Sequence, residues 1–213
     1  QCLVGSEMCI RDRRYIIEDY VGSDSTFPIT VSHVYNRDIK SEYNVGVNWR
    51  LNLQQEIVLE NKQWKYTDAE GKEYYFDSGY ESEDERSSVR NEKLGLDLFI
   101  DSENDVIKLV DRDNNTLVFE RINGVYRLIE IHNFPSVYDK VLEAYSMKLG
   151  YDSLNRLAYV EAGKRVNNIR PRIDFHYDGG NLTALRYNQT TVAEYTYNGD
   201  ELSKITKCNA SVE

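Results

Sequence analysis

Basic charge is what this chain lacks most. It carries 26 Lys and Arg against 36 Asp and Glu, a formal net charge of −10. Nucleic acid and anionic membrane surfaces are recognised through basic faces, so both are disfavoured as partners. No apolar run approaches the roughly 18 residues that a membrane-spanning helix needs. Proline is rare, with 3 residues, and glycine is moderate at 12, a balance that argues against a disordered tail. Histidine numbers only 3, at His33, His132 and His176, and none stands at a metal-ligand spacing from another. Nothing in the spacing supports a Ser-His-Asp arrangement either. With 36 acids, pairs of carboxylates carry no signal without geometry. The sequence therefore names no catalytic group, no metal ligand set and no cofactor.

Cysteine is scarce as well, and two of the three, Cys2 and Cys9, lie in a stretch unlike the rest. Gln1 to Arg13 reads QCLVGSEMCIRDR, without periodicity. Met8-Cys9-Ile10-Arg11-Asp12 is what ATG-TGT-ATA-AGA-GAC encodes, a string that resembles a sequencing-library adapter. The expected reading of residues 1–13 is translated adapter joined to a truncated gene; the alternative is an ordinary disordered N-terminus. Such scars are set aside before fold reasoning. Cys208 then stands alone, which leaves no disulfide framework and no Cys-based metal site within the chain.

What is abundant is tyrosine, with 17 residues, a side chain suited to pleated, half-exposed sheet surfaces. The pattern along the chain agrees. Tyr15 to Tyr20 alternates weakly, and Phe27 to Tyr35 alternates well, placing Ile29, Val31, His33 and Tyr35 on one face. Ser23 to Ser25 reads as a turn and Asn36 to Tyr43 as a charged loop. Val47 to Leu59 reads as one strand, with Val47, Trp49, Leu51 and Leu53 on one side. Gln63 to Thr67 and Lys72 to Phe76 form a hairpin around Asp68-Ala69-Glu70-Gly71. Tyr80 to Glu92 is acidic, has no apolar face, and reads as an exposed loop. Short strands follow at Leu94 to Ile100, Val106 to Val110, Thr116 to Arg121 and Val125 to Ile131. Asn123-Gly124 is a type I′ hairpin signal. Phe134 to Met147 is ambiguous: Val137, Tyr138, Val141, Leu142 and Tyr145 fit a helical face, while the surrounding pattern favours a strand from Leu142 to Tyr151.

Asp101 to Asp105 and Asp111 to Asn115 place oxygen ligands at alternate positions, as a calcium loop begins. The glycine that such a loop needs is replaced by Val106 and Thr116, and its closing acid by Arg112 and Ile122. Turn chemistry is the better account of these acids.

The C-terminal third is organised by repetition. Three times a tyrosine is followed at once by Asp or Asn, with a leucine five or six residues after the tyrosine. The copies are Tyr151, Asp152 and Leu157; Tyr177, Asp178 and Leu182; and Tyr197, Asn198 and Leu202. Their tyrosines stand 26 and then 20 residues apart. A period of that size marks units that bury their apolar faces by stacking on neighbours. Each copy reads as a strand ending at the tyrosine, a polar turn, and a return strand from the leucine. Strands are expected at Arg156 to Val160, Arg172 to Tyr177, Thr183 to Tyr187, Thr191 to Tyr197 and Leu202 to Thr206. The fold class read from the whole is all-β, consecutive antiparallel hairpins forming a long twisted sheet.

These three copies resemble the Tyr-Asp (YD) repeat of the Rhs family, whose unit runs Tyr-Asp-x-x-Gly-x-Leu. Asn155 stands at the glycine position in the first copy, and the glycine is displaced in the others. Tyr35-Asn36 followed by Gly46, Trp49 and Leu51 is similar to the module that leads into the repeats in Rhs proteins, with Asn48 where the family has glycine. The resemblance implies a layout of a lead-in module at 14–61, a β-meander at 62–148, YD repeats at 149–206 and a truncated tail at 207–213. It implies a non-enzymatic wall segment of a shell that encapsulates or presents a C-terminal toxin or effector in bacterial competition. The expected partners are the remainder of that shell and the effector domain, and the expected location is secreted or at the bacterial cell surface. The alternative is a carbohydrate-binding surface module, with Tyr151, Tyr177 and Tyr197 as a ladder for glycans.

Overall fold

The computed structural model describes residues 14–22, 27–37, 44–77, 88–133 and 145–208. Among them there is no α-helix, and every strand pairing is antiparallel. A first sheet of three strands has the order β1 (Arg14–Val21), β2 (Thr30–Asn36), β3 (Trp49–Leu51). A second sheet holds fourteen. Its N-terminal members are β4 (Glu56–Glu60), β5 (Gln63–Thr67), β6 (Glu73–Asp77), β7 (Ser88–Asn91), β8 (Leu96–Asp101), β9 (Val106–Val110), β10 (Thr116–Ile122) and β11 (Val125–His132). The rest are β12 (Ser146–Tyr151), β13 (Leu157–Ala162), β14 (Arg172–Asp178), β15 (Asn181–Tyr187), β16 (Thr190–Asn198) and β17 (Glu201–Lys207). From β7 to β17 the strands lie side by side in chain order.

Local chemistry sets most of the turns. Asn123 and Gly124 have φ of 52° and 82°, the two left-handed residues of a type I′ turn between β10 and β11. Three other hairpins use one shared loop. At Asp68, Asp111 and Asp152 the carboxylate accepts the backbone N–H groups two and four residues on. The residue three on, Gly71, Asn114 or Asn155, is left-handed, with φ of 76°, 64° and 61°. Asn48 is left-handed as well, with φ of 64°. Asparagine is one of the few residues that tolerates this region.

Four strand expectations need correction. Val47 to Leu59 is two strands in two sheets. Gln54 breaks the run: its side chain accepts the Leu51 N–H at 2.7 Å, and its own N–H donates to Leu51 O at 3.0 Å. Asn52 ties the corner to β2 by accepting from Ser32 N and donating to Thr30 O. Val47 sits in a turn and is exposed. The expected boundary after residue 61 falls inside the tight β4–β5 turn at Asn61-Lys62. The end of the acidic stretch is also a strand: Ser88 to Asn91 pairs with β8, and Arg90 bonds Asp97 at 2.8 Å. Leu94 lies in the connecting turn, and β8 starts at Leu96. Cross-strand pairing makes this strand, for its own residues carry little apolar signal. Phe27 to Ile29 precede β2, and Ile29 O accepts the Gly22 N–H at 2.8 Å beside the β1–β2 ladder. Residues 1–13, the Ser23 to Ser25 turn, most of the Asn36 to Tyr43 loop, residues 80–87 and residues 134–144 lie outside the described residues, so the helix-or-strand question is settled only from Ser146, where β12 begins.

The second sheet also closes on itself. β11 gives one edge to two partners: Glu130 to His132 pair with β12, while Tyr126 and Arg127 pair with Ile57 and Glu56 of β4. On the other side Asn91 Nδ2 donates to Tyr75 O at 3.0 Å, joining β7 to β6. Strands β4 to β11 curl around Ile57, Tyr66, Phe76, Leu98, Ile107, Leu109, Phe119 and Leu128, all buried. Each such side chain contributes about 1.5–3 kcal/mol by leaving water. The core continues under the repeats through Leu149, Leu157, Val160, Ile173, Leu182 and Leu185, and it takes in Val31, Val45 and Leu51 from the first sheet.

Candidate functional site

The repeat residues come together in one recurring arrangement. Tyr151 pairs with Leu157, Tyr177 with Leu182 and Tyr197 with Leu202, each across its own hairpin. The register slips at the same place in every copy, leaving Ala158, Thr183 and Ser203 as the extra residue after the leucine. A bulge of this kind bends the strand and re-aims the neighbouring side chains. Thr183 Oγ1 and Ser203 Oγ donate across it to His176 O at 3.1 Å and Thr196 O at 2.8 Å. The loops differ: Asp152 opens a longer Asp loop, while Asp178 and Asn198 flank two-residue turns whose Gly179 and Gly199 have φ of 64° and 61°. The constant feature is therefore the Tyr–Leu pair with its bulge, and the turn varies.

The tyrosines also link one hairpin to the next. Tyr151 Oη donates to Leu128 O at 2.8 Å, and Tyr177 Oη donates to Leu157 O at 2.9 Å. The arginine just before each accepting leucine lies over the ring that arrives: Arg127 at 5.9 Å from the Tyr151 centroid and Arg156 at 4.2 Å from that of Tyr177. Such contacts add about 0.5–1 kcal/mol each at partly exposed sites. An Arg-Leu pair on one return strand thus clamps the tyrosine of the next hairpin. Burial pushes both phenols well above the usual tyrosine range. The third copy lacks the clamp, and Asn181 rather than an arginine precedes Leu182. Tyr197 Oη is buried without a hydrogen-bond partner among the described residues. All three rings pack against the core, which leaves them poorly placed as a stacking platform for sugars.

The lead-in residues form the other half of the site. Tyr35 pairs with Trp49, their rings 5.2 Å apart and edge to face. Asn36 is buried, and its N–H donates to Asn48 O at 2.9 Å. Leu51 pairs with His33 and is fully buried. Gly46 is where the two motifs meet. Its φ is 101°, and a Cβ there would stand 2.8 Å from Leu202 Cβ. The same loop bonds two repeat hairpins: Leu182 N donates to Asn44 O at 2.7 Å, and Val47 N donates to Asp200 O at 3.0 Å. Tyr20 of β1 stacks on Tyr187 of β15 at 5.4 Å. The first sheet is thus seamed onto β15 to β17.

Inside this seam is a polar cluster with no trace in the sequence pattern. A bulge at Asp19, between Glu18 and Tyr20, turns its carboxylate inward. Oδ2 of Asp19 bonds Nδ1 of His33, and both side chains are fully buried. The His33 ring lies 4.7 Å from that of Tyr195 and 6.0 Å from that of Trp49. His33 Nε2 and the Tyr197 hydroxyl have no partner among the described residues, while the Tyr195 hydroxyl lies within hydrogen-bond reach of the Asp19 carboxylate. Burial first, and then the nearby Asp19, push the Tyr195 and Tyr197 phenols up. Sequence alternation had put His33 on a core face, and only the bulge supplies its partner.

Asp101 and Asp111 serve their own turns. Asp101 accepts from Asn104 N and Nδ2, and these bonds hold its carboxyl below the usual range. Asp111 accepts from Asp113 N, Asn115 N and Asn115 Nδ2. His132 lies 3.3 Å from Glu130 on the outer face. No helix among the described residues is long and apolar enough to cross a membrane. No protein-family model matches the chain, and no curated protein matches it.

Proposed function

We propose that this chain is a non-enzymatic wall segment of an Rhs/YD-repeat protein that encapsulates or presents a C-terminal toxin or effector in bacterial competition, secreted or at the cell surface. The observation that carries the reading is the clamp. Tyr151 and Tyr177 each reach back to the leucine carbonyl of the preceding return strand, so two successive hairpins are each seated on the one before. Such a unit extends a wall one hairpin at a time. The left-handed Asn48 and Asn155 support it further, for both stand at glycine positions of the family motifs in a backbone conformation that glycine readily adopts.

Sequencing the uninterrupted gene from genomic DNA tests the reading. The expected result is further Tyr-Asp hairpins and a distinct C-terminal domain downstream, with no codons for residues 1–13 contiguous with the frame. A stop codon directly after Glu213, or a hydrolytic activity of the chain abolished by one carboxylate substitution, would overturn it.

A further inference from the structure

We propose that Asn198-Gly199 is a self-modification site, at which the third repeat copy exchanges its Asn for Asp or isoaspartate without an enzyme. This does not depend on the wall reading. The first step is intramolecular. The Gly199 backbone nitrogen attacks Cγ of the Asn198 side-chain amide. A bond from that nitrogen to Cγ forms, the bond from Cγ to the amide nitrogen breaks, and ammonia leaves with the proton that Gly199 gives up. Water then opens the cyclic imide. Hydrolysis at the side-chain carbonyl leaves Asp. Hydrolysis at the backbone carbonyl leaves isoaspartate, in which the chain runs through the former side chain. An Asp at 198 gives Tyr-Asp-Gly, the step that Tyr177-Asp178-Gly179 already has, and sets a new carboxylate beside Asp200 and Glu201. Isoaspartate lengthens the backbone next to Asp200, whose carbonyl accepts the Val47 N–H across the seam.

Chemistry alone treats the two Asn-Gly steps of the chain, Asn123-Gly124 and Asn198-Gly199, alike. Glycine leaves the attacking nitrogen unshielded, while every other Asn precedes a residue with a side chain. Both steps are exposed, and an added Cβ on either glycine would meet nothing within 4 Å. The fold separates them. Asn123 is left-handed, with φ of 52°, in its type I′ turn. On left-handed backbone the next nitrogen stands nearly opposite the Cβ that carries the amide, out of reach of Cγ. That hairpin is also held on both flanks, with Glu120 paired to Val106 of β9 and Tyr126 to Ile57 of β4. Asn198 instead closes β16 on extended backbone, where a smaller rotation brings the Gly199 nitrogen to Cγ. Neither its side chain nor the Gly199 N–H makes a hydrogen bond among the described residues. Its partner β17 ends the sheet, with no strand beyond it among the described residues. The tip of this hairpin therefore opens locally at small cost.

Peptide mapping by mass spectrometry tests this on the whole folded chain, incubated in mildly alkaline buffer below the range where tyrosines ionise. The peptide holding Asn198 is expected to gain its Asp and isoaspartate forms about tenfold or more faster than the one holding Asn123, because only the latter is protected by its turn and flanking ladders. In urea the two rates converge. Equal rates in the folded chain, or a faster change at Asn123, overturn the proposal. So does an Asn198 that stays an amide in the folded chain and changes only in urea. Asn198→Ser keeps the hairpin without the amide, and persistence of the modified forms in that variant overturns the assignment as well.

Discussion

Removing one oxygen from Tyr177 and one from Tyr197 should move stability in opposite directions, although the two residues hold the same place in the repeat. Tyr177 Oη donates to Leu157 O at 2.9 Å, while Tyr197 Oη is buried with no partner among the described residues. Tyr177→Phe keeps the ring and its place under Arg156, so the change isolates the hydroxyl. A lost hydrogen bond costs about 0.5–1.5 kcal/mol net, and a carbonyl left short of a donor adds up to about 1 more. The expected loss is about 1–2 kcal/mol, and Tyr151→Phe should match it through Leu128 O. Tyr197→Phe removes a buried group that gains nothing in return, so the variant should range from unchanged to about 1 kcal/mol more stable. Urea unfolding measures all three, and an unchanged dependence on denaturant would show that the denatured state is unaffected. If Tyr197→Phe proves as destabilising as Tyr177→Phe, the tyrosines do not act through the clamp, and the hairpin-to-hairpin argument fails.

Alkali should unfold the chain abruptly. Tyr66, Tyr151, Tyr177, Tyr195 and Tyr197 all have phenols raised by burial. The folded state binds these protons more tightly than the unfolded one, so their contribution is complete below the ordinary phenol range near pH 10 and is lost as pH rises above it. Each phenol costs about 1.4 kcal/mol per pH unit there. Tyrosinate absorbance should jump together with loss of the β circular dichroism signal; smooth titration of all 17 tyrosines in a folded chain would contradict this. Gly46→Ala and Gly124→Ala both place a side chain at positive φ, but only Gly46 faces another residue, Leu202, at contact distance. Gly124→Ala should cost about 1–2 kcal/mol of backbone strain, and Gly46→Ala clearly more, with lost protection at the 44–49 loop. Asp152→Ala should cost about 1–2 kcal/mol by releasing the Leu154 and Arg156 amides, and Asp152→Asn less. Partial burial opposes the Asp152 charge, but the bonds from Arg156 and Leu154 outweigh it and hold the carboxyl low. Its stabilisation is therefore present above the ordinary Asp range and lost as pH falls through the lowered value, a dependence that Asp152→Ala should remove from acid unfolding curves.

The parts of this structure that were legible in the sequence are those made by neighbours in the chain. Asn123-Gly124 announced its turn because both residues accept a left-handed backbone. The Tyr–Leu pairs were legible because residues that face each other across a short hairpin stand at a nearly fixed spacing. Even so, the Tyr-Asp step marks the variable turn, whereas the fixed element is the tyrosine, the leucine and the bulge after it. Two further loops of the Asp152 kind, at Asp68 and Asp111, went unread as relatives because no tyrosine directly precedes either. Gln54 ended a strand through its own side chain, which periodicity does not register. Asp19 was invisible for a different reason: one extra residue in β1 reverses which way it points. The pairing of β4 with β11 and the bond from Asn44 to Leu182 depend on where distant segments arrive, and no local pattern encodes that.

This division between near and far has a consequence for how the molecule opens. Each repeat hairpin closes a short loop, so its ladder forms at small entropic cost. The seam instead joins Asn44 to Leu182 and Val47 to Asp200, residues more than a hundred positions apart, and rests on few backbone bonds. Contacts of long sequence separation reward the chain only after the local hairpins exist, which makes the seam a late step in folding. The same sparseness places it at the low end of local stability, where segments part without global unfolding.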